Sequence, residues 1–420
     1  MLIRFEVANY RSMLDPVELS MVAIDRDRPE ARLVPNLGES LLPVAAVFGP
    51  NASGKSNFIA AVTWLRMAVR ESLRMWDDEI PVEPFAFSAG QGRPSEFIVD
   101  AVISGVRYAY VVELDRQAVR YEALFHYPEK KRRRIFEREG SQFKLQRGLG
   151  NLSGTRKLLT PRTLALSIAR RFDEPVVSGF VDYLLAAQTL GLPTPHPHHR
   201  TACSTMRWFE RGPGGDQLSL SDLEEDRSFE ADRAQALALL RLADLGIDDV
   251  LIDQCEVAHS DGPRTQRRIR LVHQTAHEKA PLDFAAESAG TRTWFHLIGP
   301  VLAALKAGSL LLFDELDASL HPTLCVQLLR LFQDPAMNPK GAQLVFTSHD
   351  TSLLNNLNRD EVWLTEKAED GVTQLGALAE FAGERVRRSQ NLEKAYLHGR
   401  FGALPIVDHT EVLRALRPIG

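Results

Sequence analysis

Apolar and polar positions alternate with period two at the start of the chain and again between about residues 95 and 140. Leu2 to Ala8 (Leu-Ile-Arg-Phe-Glu-Val-Ala) reads as a strand, Asn9-Tyr10-Arg11-Ser12 as a turn, and Pro16 to Val22 as a second strand. Asp25 to Ser40 is polar, carries Pro29, Pro35 and Gly38, and reads as a loop. Leu41 to Phe48 is apolar except for Pro43, the pattern of a strand buried on both faces. Asn57 to Arg70 changes to helical spacing and extends towards Trp76. Four β-rich runs follow: Glu96 to Ile103, Val106 to Leu114, Val119 to His126 and Arg133 to Glu139. Ser104-Gly105, Asp115-Arg116 and Pro128-Glu129 separate them as turns, which predicts an antiparallel meander added to the sheet that holds the Leu41 to Phe48 strand.

From about Thr155 to Arg241 the period is mostly helical. Thr160 before Pro161 offers a helix cap, and Phe180 to Leu190 and Phe229 to Leu245 carry apolar residues at helical spacing. No heptad repeat is sustained there, so the pattern does not predict a long coiled coil. The β pattern returns at Val250 to Val257 and Arg267 to Gln274. A helix is expected from near Ser288 towards Leu305. Leu310 to Phe313 is a fully apolar strand, Pro322 to Phe332 a helix, and Gln343 to Thr347 and Glu361 to Thr365 are further strands. Gly383 to Arg400 reads as a charged helix.

Composition adds little to this picture. The 420 residues suffice for two lobes, or for one domain carrying an insertion, and the net charge of −5 gives no global reason to expect a polyanion partner. Cys203, Cys255 and Cys325 are few and widely spaced, which fits a reducing compartment. Met1 to Glu6 carries no apolar leader pattern, and no uncharged apolar run is long enough to span a bilayer; the expected location is the cytoplasm. Lys130 to Arg134 offers a phosphate-backbone contact, but Glu129, Glu137 and Glu139 beside it favour a solvated hairpin tip. His196, His198 and His199 stand among prolines with no nearby Cys or carboxylate to complete a metal site, and favour an exposed loop.

The chemistry begins at Gly49-Pro50-Asn51-Ala52-Ser53-Gly54-Lys55-Ser56, a complete G-x-x-x-x-G-K-[ST] match between a strand and a helix start. Such a loop wraps phosphate oxygens in backbone N–H groups, from Asn51 to Asn57 here, and the helix N-terminus adds its positive dipole end. Lys55 would reach the β- and γ-phosphates, and the Ser56 hydroxyl would ligate Mg²⁺. Asp314-Glu315 ends the apolar run Leu310 to Phe313, a Walker B pattern: the first carboxylate holds Mg²⁺ and the second polarises the attacking water. Glu287-Ser288-Ala289-Gly290-Thr291 lies before a helix, with Ser288 placed 26 residues before Asp314, and forms a second anion-binding device. His349 follows a strand end and resembles a switch histidine, which contacts the γ-phosphate.

These motifs together resemble an ABC/SMC-type ATPase head. More narrowly, they resemble the stand-alone AAA-family ATPases of bacterial abortive-infection systems, which include AbiLi-like and OLD-related proteins. Glu287 to Thr291 has the E-S-x-G-T form of that group. Asn9 to Ser12 is similar to the N-F-[KR]-S turn of SMC-type heads, whose basic residue, here Arg11, lies near nucleotide. Leu316-Asp317-Ala318-Ser319 is similar to a D-loop, with Asp317 facing the opposite subunit. Pro84 to Phe87 and Tyr396 to Pro405 also resemble the group. The Q-loop glutamine has no motif; Gln91 fits only by its distance from the phosphate loop.

The resemblance covers roughly residues 1–150 and 245–406 and implies an α/β P-loop NTPase fold with an added meander and a helical insertion. Its expected parts are 1–150, the first half of the head; 151–245, the insertion; and 246–420, the second half. It implies a homodimer that sandwiches two ATP molecules, with Ser288, Gly290 and Thr291 acting in trans on the other subunit's nucleotide. Glu315 would be the general base, with Lys55 and His349 on the phosphates. The expected role is an ATP-gated switch controlling a separate effector, such as a Toprim/RloB-like nuclease; no Toprim-like acidic cluster occurs in this chain. The alternative is a DNA-maintenance ATPase that clamps DNA directly.

Overall fold

The computed structural model describes residues 1–192, 204–210, 220–259, 262–318, 320–381 and 392–398. Among them, Met1–Leu185 with the residues from Val345 onward form one compact unit, and Ala186–Leu344 form a second. No described helix is long and apolar enough to cross a membrane.

The first unit is built on two sheets. β1 (Leu2–Ala8) lies between β2 (Val17–Ser20) and β6 (Ser95–Ile103), antiparallel to both. The meander then continues through β7 (Val106–Leu114), β8 (Val119–Tyr127), β9 (Arg133–Glu139) and β10 (Gln142–Leu145), seven strands in all. Each turn is short, so neighbours in sequence become neighbours in the sheet. β5 (Val44–Phe48) is buried along its whole length. It pairs in parallel with β17 (Val362–Lys367), which pairs antiparallel with β18 (Thr373–Ala377). β5 feeds α1 (Lys55–Met75), whose Phe58, Ile59, Val62, Leu65 and Val69 form one buried stripe. That stripe meets the seven-stranded sheet through aromatic rings: Phe58 packs edge-on to Phe5 at 5.4 Å, and Trp64 stacks on Phe97 at 4.7 Å.

The meander also carries a buried charge that places α2 (Ala165–Ala169). The fully buried Glu122 of β8 accepts from Ala165 N and Leu166 N at 2.6 and 2.8 Å and from the Tyr110 hydroxyl at 2.8 Å. Arg138 of β9 donates to the carbonyls of Thr160 and Thr163. A carboxylate is thus satisfied by helix-start N–H groups, and a guanidinium by the carbonyls just before them.

The second unit holds the antiparallel sheet β12 (Ile247–His259), β13 (Gly262–Gln274) and β14 (Lys279–Asp283), and β11 (Gln188–Leu190) paired in parallel with β15 (Leu310–Phe313). Its helices are α4 (Leu220–Ala243), α5 (Ala289–Ala307) and α6 (Pro322–Gln333). α5 contains Pro300, which disrupts the helical ladder. The Thr205 hydroxyl enters there, accepting from Gly299 N at 3.0 Å and donating to Phe295 O at 2.7 Å. One side chain from outside the helix thereby occupies both halves of an i→i−4 bond.

Four expectations are corrected. The meander does not join the sheet of β5; it pairs through β6 with β1 and forms a separate seven-stranded sheet. The Asp25 to Ser40 loop contains a small hairpin, β3 (Arg32–Val34) with β4 (Glu39–Leu41). Thr160 caps no helix: its hydroxyl accepts from Arg162 N and Thr163 N in a turn, and α2 starts only at Ala165. The Phe180 to Leu190 helix ends early; α3 (Pro175–Ala186) gives way to β11, because residues 188–190 find a parallel partner in β15. The histidine trio lies outside the described residues, as does most of Gly383 to Arg400.

The start of β17 holds the 25–41 segment through buried acids. Asp360 accepts from Ile24 N at 2.9 Å, Asp25 N at 3.3 Å and Arg28 Nη2 at 2.9 Å, while Glu361 accepts from Asn358 N at 2.7 Å. Burial pushes the Glu361 carboxyl up to about 7, against the pull of Arg28 and the Asn358 donors. The fold therefore favours the protonated form. Its contribution to stability is complete below the ordinary value near 4.5 and is lost as pH rises through about 7. Glu361→Gln should remove this slope, on the order of 2–3 kcal/mol between pH 4.5 and 8. Denaturant titrations across that range should show the wild type losing stability relative to the variant; parallel curves would refute the assignment.

Candidate nucleotide site

In the first unit the loop between β5 and α1 is closed by an account of its carbonyls. Phe48 O accepts from Thr365 Oγ1 at 3.2 Å. Gly49 O and Pro50 O accept from Lys55 Nζ at 2.8 and 2.9 Å. Ser53 O accepts from Thr373 Oγ1 at 2.8 Å, and Gly54 O from Asn57 N at 3.0 Å. Asn51 and Ala52 form the exposed tip, with Ala52 in the left-handed region at φ 61°. Gly54 is the N-cap of α1 at φ 105°, where an added Cβ would lie 2.2 Å from Thr373 Oγ1. That position excludes every side chain, by conformation and by contact.

The side chains follow from this frame. Ser53 is buried, with its hydroxyl 2.6 Å from Thr365 Oγ1. Lys55 is only 6% exposed, and its ammonium is held at the loop by the two carbonyls. Ser56 and Asn57 open the first turn of α1, half-buried, and Asn57 Nδ2 donates to Ser12 Oγ at 2.7 Å. No acidic side chain stands in that turn, so the dipole end is uncompensated from within the helix. His349 follows β16 (Gln343–Thr347) as an exposed side chain, on a backbone fixed where Ser348 N donates to Val47 O at 3.2 Å.

Arg11 is paired with Glu83. Its backbone is in the left-handed region at φ 48°, and its guanidinium meets the Glu83 carboxylate at 2.9 and 3.1 Å. The anchor of this turn is Asn9, whose amide donates to Gly90 O and Arg93 O and accepts from Phe85 N, and so ties the turn to residues 84–94. Gln91 ends the short helical turn at Ser88–Gly90 with its side chain exposed.

In the second unit Asp314 lies at the end of β15, 5% exposed, with its N–H donated to Leu190 O at 2.9 Å. Gly191 presses on it so closely that an added Cβ would be 1.9 Å from Asp314 O, at a φ of +83°. Glu315 is exposed and left-handed at φ 54°, so the chain turns sharply between the two acids: one carboxylate is buried, the next projects outward. Leu316 is fully buried behind them, and Asp317 is half-buried. Ser319 lies outside the described residues.

Ser288 is the N-cap of α5. Its hydroxyl accepts from Thr291 N at 3.0 Å and lies 2.9 Å from Thr291 Oγ1. Gly290 is open; an added Cβ would meet only Ser288 Oγ, at 3.8 Å. Glu287 is turned back onto His273 Nε2 at 2.7 Å, a pairing with no signal in local sequence. The structure thus groups Asn51 to Asn57 with Ser12 in the first unit, and builds the Asp314-Glu315 turn and the Ser288 cap within the second. Among the described residues no cluster of three or more His, Cys, Asp or Glu side chains suits a metal ion. The oxygen donors Ser56 and Asp314 are of the type that Mg²⁺ takes singly, with the remaining positions left to phosphate and water. Sequence reading missed Thr365 and Thr373, which are separated from the loop by more than 300 residues.

Among curated proteins, none matches the chain. Solved structures similar to it include the SMC head domain from Thermotoga maritima, 12% identical, covering 90% of this chain and 98% of that one at a TM-score of 0.42. The SmcHead bound to the C-winged helix domain of ScpA is also 12% identical, covering 90% and 97% at a TM-score of 0.43. A family described as "AAA domain, putative AbiEii toxin, Type IV TA system" matches residues 44–175 and 191–355, spans that include the phosphate loop, Ser288, Asp314-Glu315 and His349. With most of its length matched, the chain belongs to this AAA-domain family.

Proposed function

We propose that the protein binds and hydrolyses ATP and serves as an ATP-gated dimer switch in bacterial anti-phage defence, controlling a separately encoded effector. The observation that carries the nucleotide reading is the braced phosphate loop, with Lys55 held at its mouth and an uncompensated helix start behind it. The defence reading rests on the description of the family, and the effector on the resemblance to abortive-infection ATPases. A Toprim/RloB-like nuclease is the effector class this resemblance names.

In this reading the loop N–H groups and Lys55 bind the phosphates and set the γ-phosphoryl group for attack. Ser56 and Asp314 would hold Mg²⁺, which when bound neutralises charge developing on the phosphate oxygens. Glu315 takes a proton from the attacking water; its outward, left-handed position leaves the carboxylate exposed for that task. His349 contacts the γ-phosphate. Ser288, Gly290 and Thr291 of one subunit cap the nucleotide of a second copy, and the open surface at Gly290 leaves room for that approach. Asp317 faces the second copy. ATP then joins two chains, and its hydrolysis releases them.

A second reading, direct clamping of DNA, is favoured by one surface. Arg70 and Arg74, four residues apart on α1, are exposed, as is Arg171. Arg170 donates to Arg70 O at 2.8 Å, and burial, followed by repulsion from Arg171, Arg74 and Arg70, lowers its pKa. Among the described residues, no ion pair joins these four to a carboxylate. The run at Lys130 to Arg134 is more occupied: Arg132 lies over the Phe125 ring, Arg133 is 3.7 Å from Glu129, and Arg134 pairs with Glu137 at 3.0 Å.

Three outcomes test these readings. Lys55→Ala should weaken ATP binding at least tenfold, measured by equilibrium titration; unchanged affinity rejects the nucleotide site. Glu315→Gln should bind ATP, hydrolyse it 10²-fold or more slowly and accumulate a dimer on sizing columns; wild-type turnover rejects the base. If DNA is clamped at the arginine surface, duplex should stimulate the ATPase, and Arg70→Glu with Arg74→Glu should lower the salt dependence of duplex binding by about 2 in log–log slope. Equal slopes reject that surface.

A further inference from the structure

We propose that Thr373 of β18, working through Ser12, is a positioning residue that aims the phosphate loop's N–H groups at the nucleotide. Neither residue lies within the matched family spans or within the phosphate-loop motif; Ser12 closes the Asn9–Ser12 turn. The proposal rests on the nucleotide reading above.

The geometry is a chain of three polar side chains. Asn57 Nδ2 donates to Ser12 Oγ at 2.7 Å, Thr373 Oγ1 lies 2.7 Å from Ser12 Oγ, and it lies 2.8 Å from Ser53 O. A hydroxyl has one hydrogen. Ser53 O can only accept, and Ser12 Oγ accepts from both Asn57 Nδ2 and Thr373 Oγ1, so the single Thr373 hydrogen is shared between Ser12 Oγ and Ser53 O. The backbone supports the same alignment, since Thr373 N donates to Ser12 O at 2.7 Å. Thr373 is 2% exposed, so water does not replace its hydroxyl.

The consequence is directional. In a trans peptide the carbonyl and the next N–H point to opposite sides. Drawing Ser53 O towards Thr373 turns the Gly54 N–H to the opposite side of the peptide, away from Thr373. Gly54 sits beneath the same two hydroxyls, with an added Cβ 2.2 Å from Thr373 Oγ1 and 2.9 Å from Ser12 Oγ. The brace therefore lies directly against the N-cap residue of α1. A second strut runs beside it, from Ser53 Oγ to Thr365 Oγ1 at 2.6 Å and from Thr365 to Phe48 O at 3.2 Å. The hairpin β17–β18 thus holds the loop at both ends, and the N-terminal turn holds the hairpin. Ser12 is placed to do this because Asn9 anchors its turn and Arg11 is tied to Glu83.

The experiment uses the full chain. Wild type, Thr373→Val, Thr373→Ser, Ser12→Ala, the double variant Thr373→Val with Ser12→Ala, and Lys55→Ala are titrated with a ribose-labelled fluorescent ATP analogue. Their steady-state kinetics with ATP and their thermal midpoints without nucleotide are measured in parallel. Thr373→Val should weaken analogue binding about tenfold, and Thr373→Ser should restore it to within about twofold of wild type. Ser12→Ala should weaken it about threefold, and the double variant should be no weaker than Thr373→Val alone, because both disturb the one hydroxyl cluster at Ser53 O. If Lys55→Ala loses binding while Thr373→Val keeps wild-type affinity and KM, the positioning role is overturned. It is also overturned if Thr373→Val lowers only the thermal midpoint, or if Thr373→Ser fails to restore affinity. If Lys55→Ala itself binds as wild type does, the nucleotide reading fails instead.

Discussion

A loop that turns its N–H groups inward towards phosphate must turn carbonyls outward, because a trans peptide holds the two on opposite sides. Each outward carbonyl inside a folded chain needs a donor. The first unit meets this requirement one group at a time, with Thr365 at Phe48 O, Lys55 at Gly49 O and Pro50 O, Thr373 at Ser53 O and the helix itself at Gly54 O. Two of the donors come from one hairpin, so the pairing of β17 with β5 and of β18 with β17 is a condition of the loop's shape. The buried acids Asp360 and Glu361 at the start of β17 belong to the same arrangement, since they fix where that strand begins.

The second unit solves a related problem at the end of β15. An apolar strand must stop, bury one carboxylate and expose the next. The left-handed turn at Glu315 separates the two, and Gly191 lets β11 end against the Asp314 backbone. The helix α5 shows the same use of small polar groups. Thr205 repairs the break near Pro300, and the Ser288 hydroxyl closes the first turn, so both irregular points of one helix are satisfied by hydroxyls. In both units, a hydroxyl of one hydrogen and two lone pairs is the part that reconciles regular structure with a functional bend.

Charge was the least legible property in one dimension. Lys130 to Arg134 is the densest basic run, yet three of its arginines are taken by Phe125, Glu129 and Glu137. Arg70 and Arg170 stand a hundred residues apart and meet because α2 packs beside α1. Electrostatic neighbourhoods depend on distance in space, whereas runs of like charge record only distance along the chain. Arg11 shows the same limit: the N-Y-R-S turn was legible, but Glu83, which holds its guanidinium, was not.

Sequence by itself determined what is set by neighbours a few residues apart. The alternation of apolar and polar positions specifies the meander, and the 3.6-residue stripe specifies α1 and α5. The spacing of Gly49, Gly54, Lys55 and Ser56 specifies the phosphate loop, because its chemistry depends on one local backbone path. The apolar run before Asp314-Glu315 specifies a strand ending in two acids. Tertiary structure decided the rest. It made residues 188–190 a strand, because β15 offered a partner, and it placed α2 by means of a glutamate 43 residues earlier. It also brought Thr373 to Ser12 across 361 residues. A hydroxyl carries no periodic signal, and its partner is known only once the chain has closed around it.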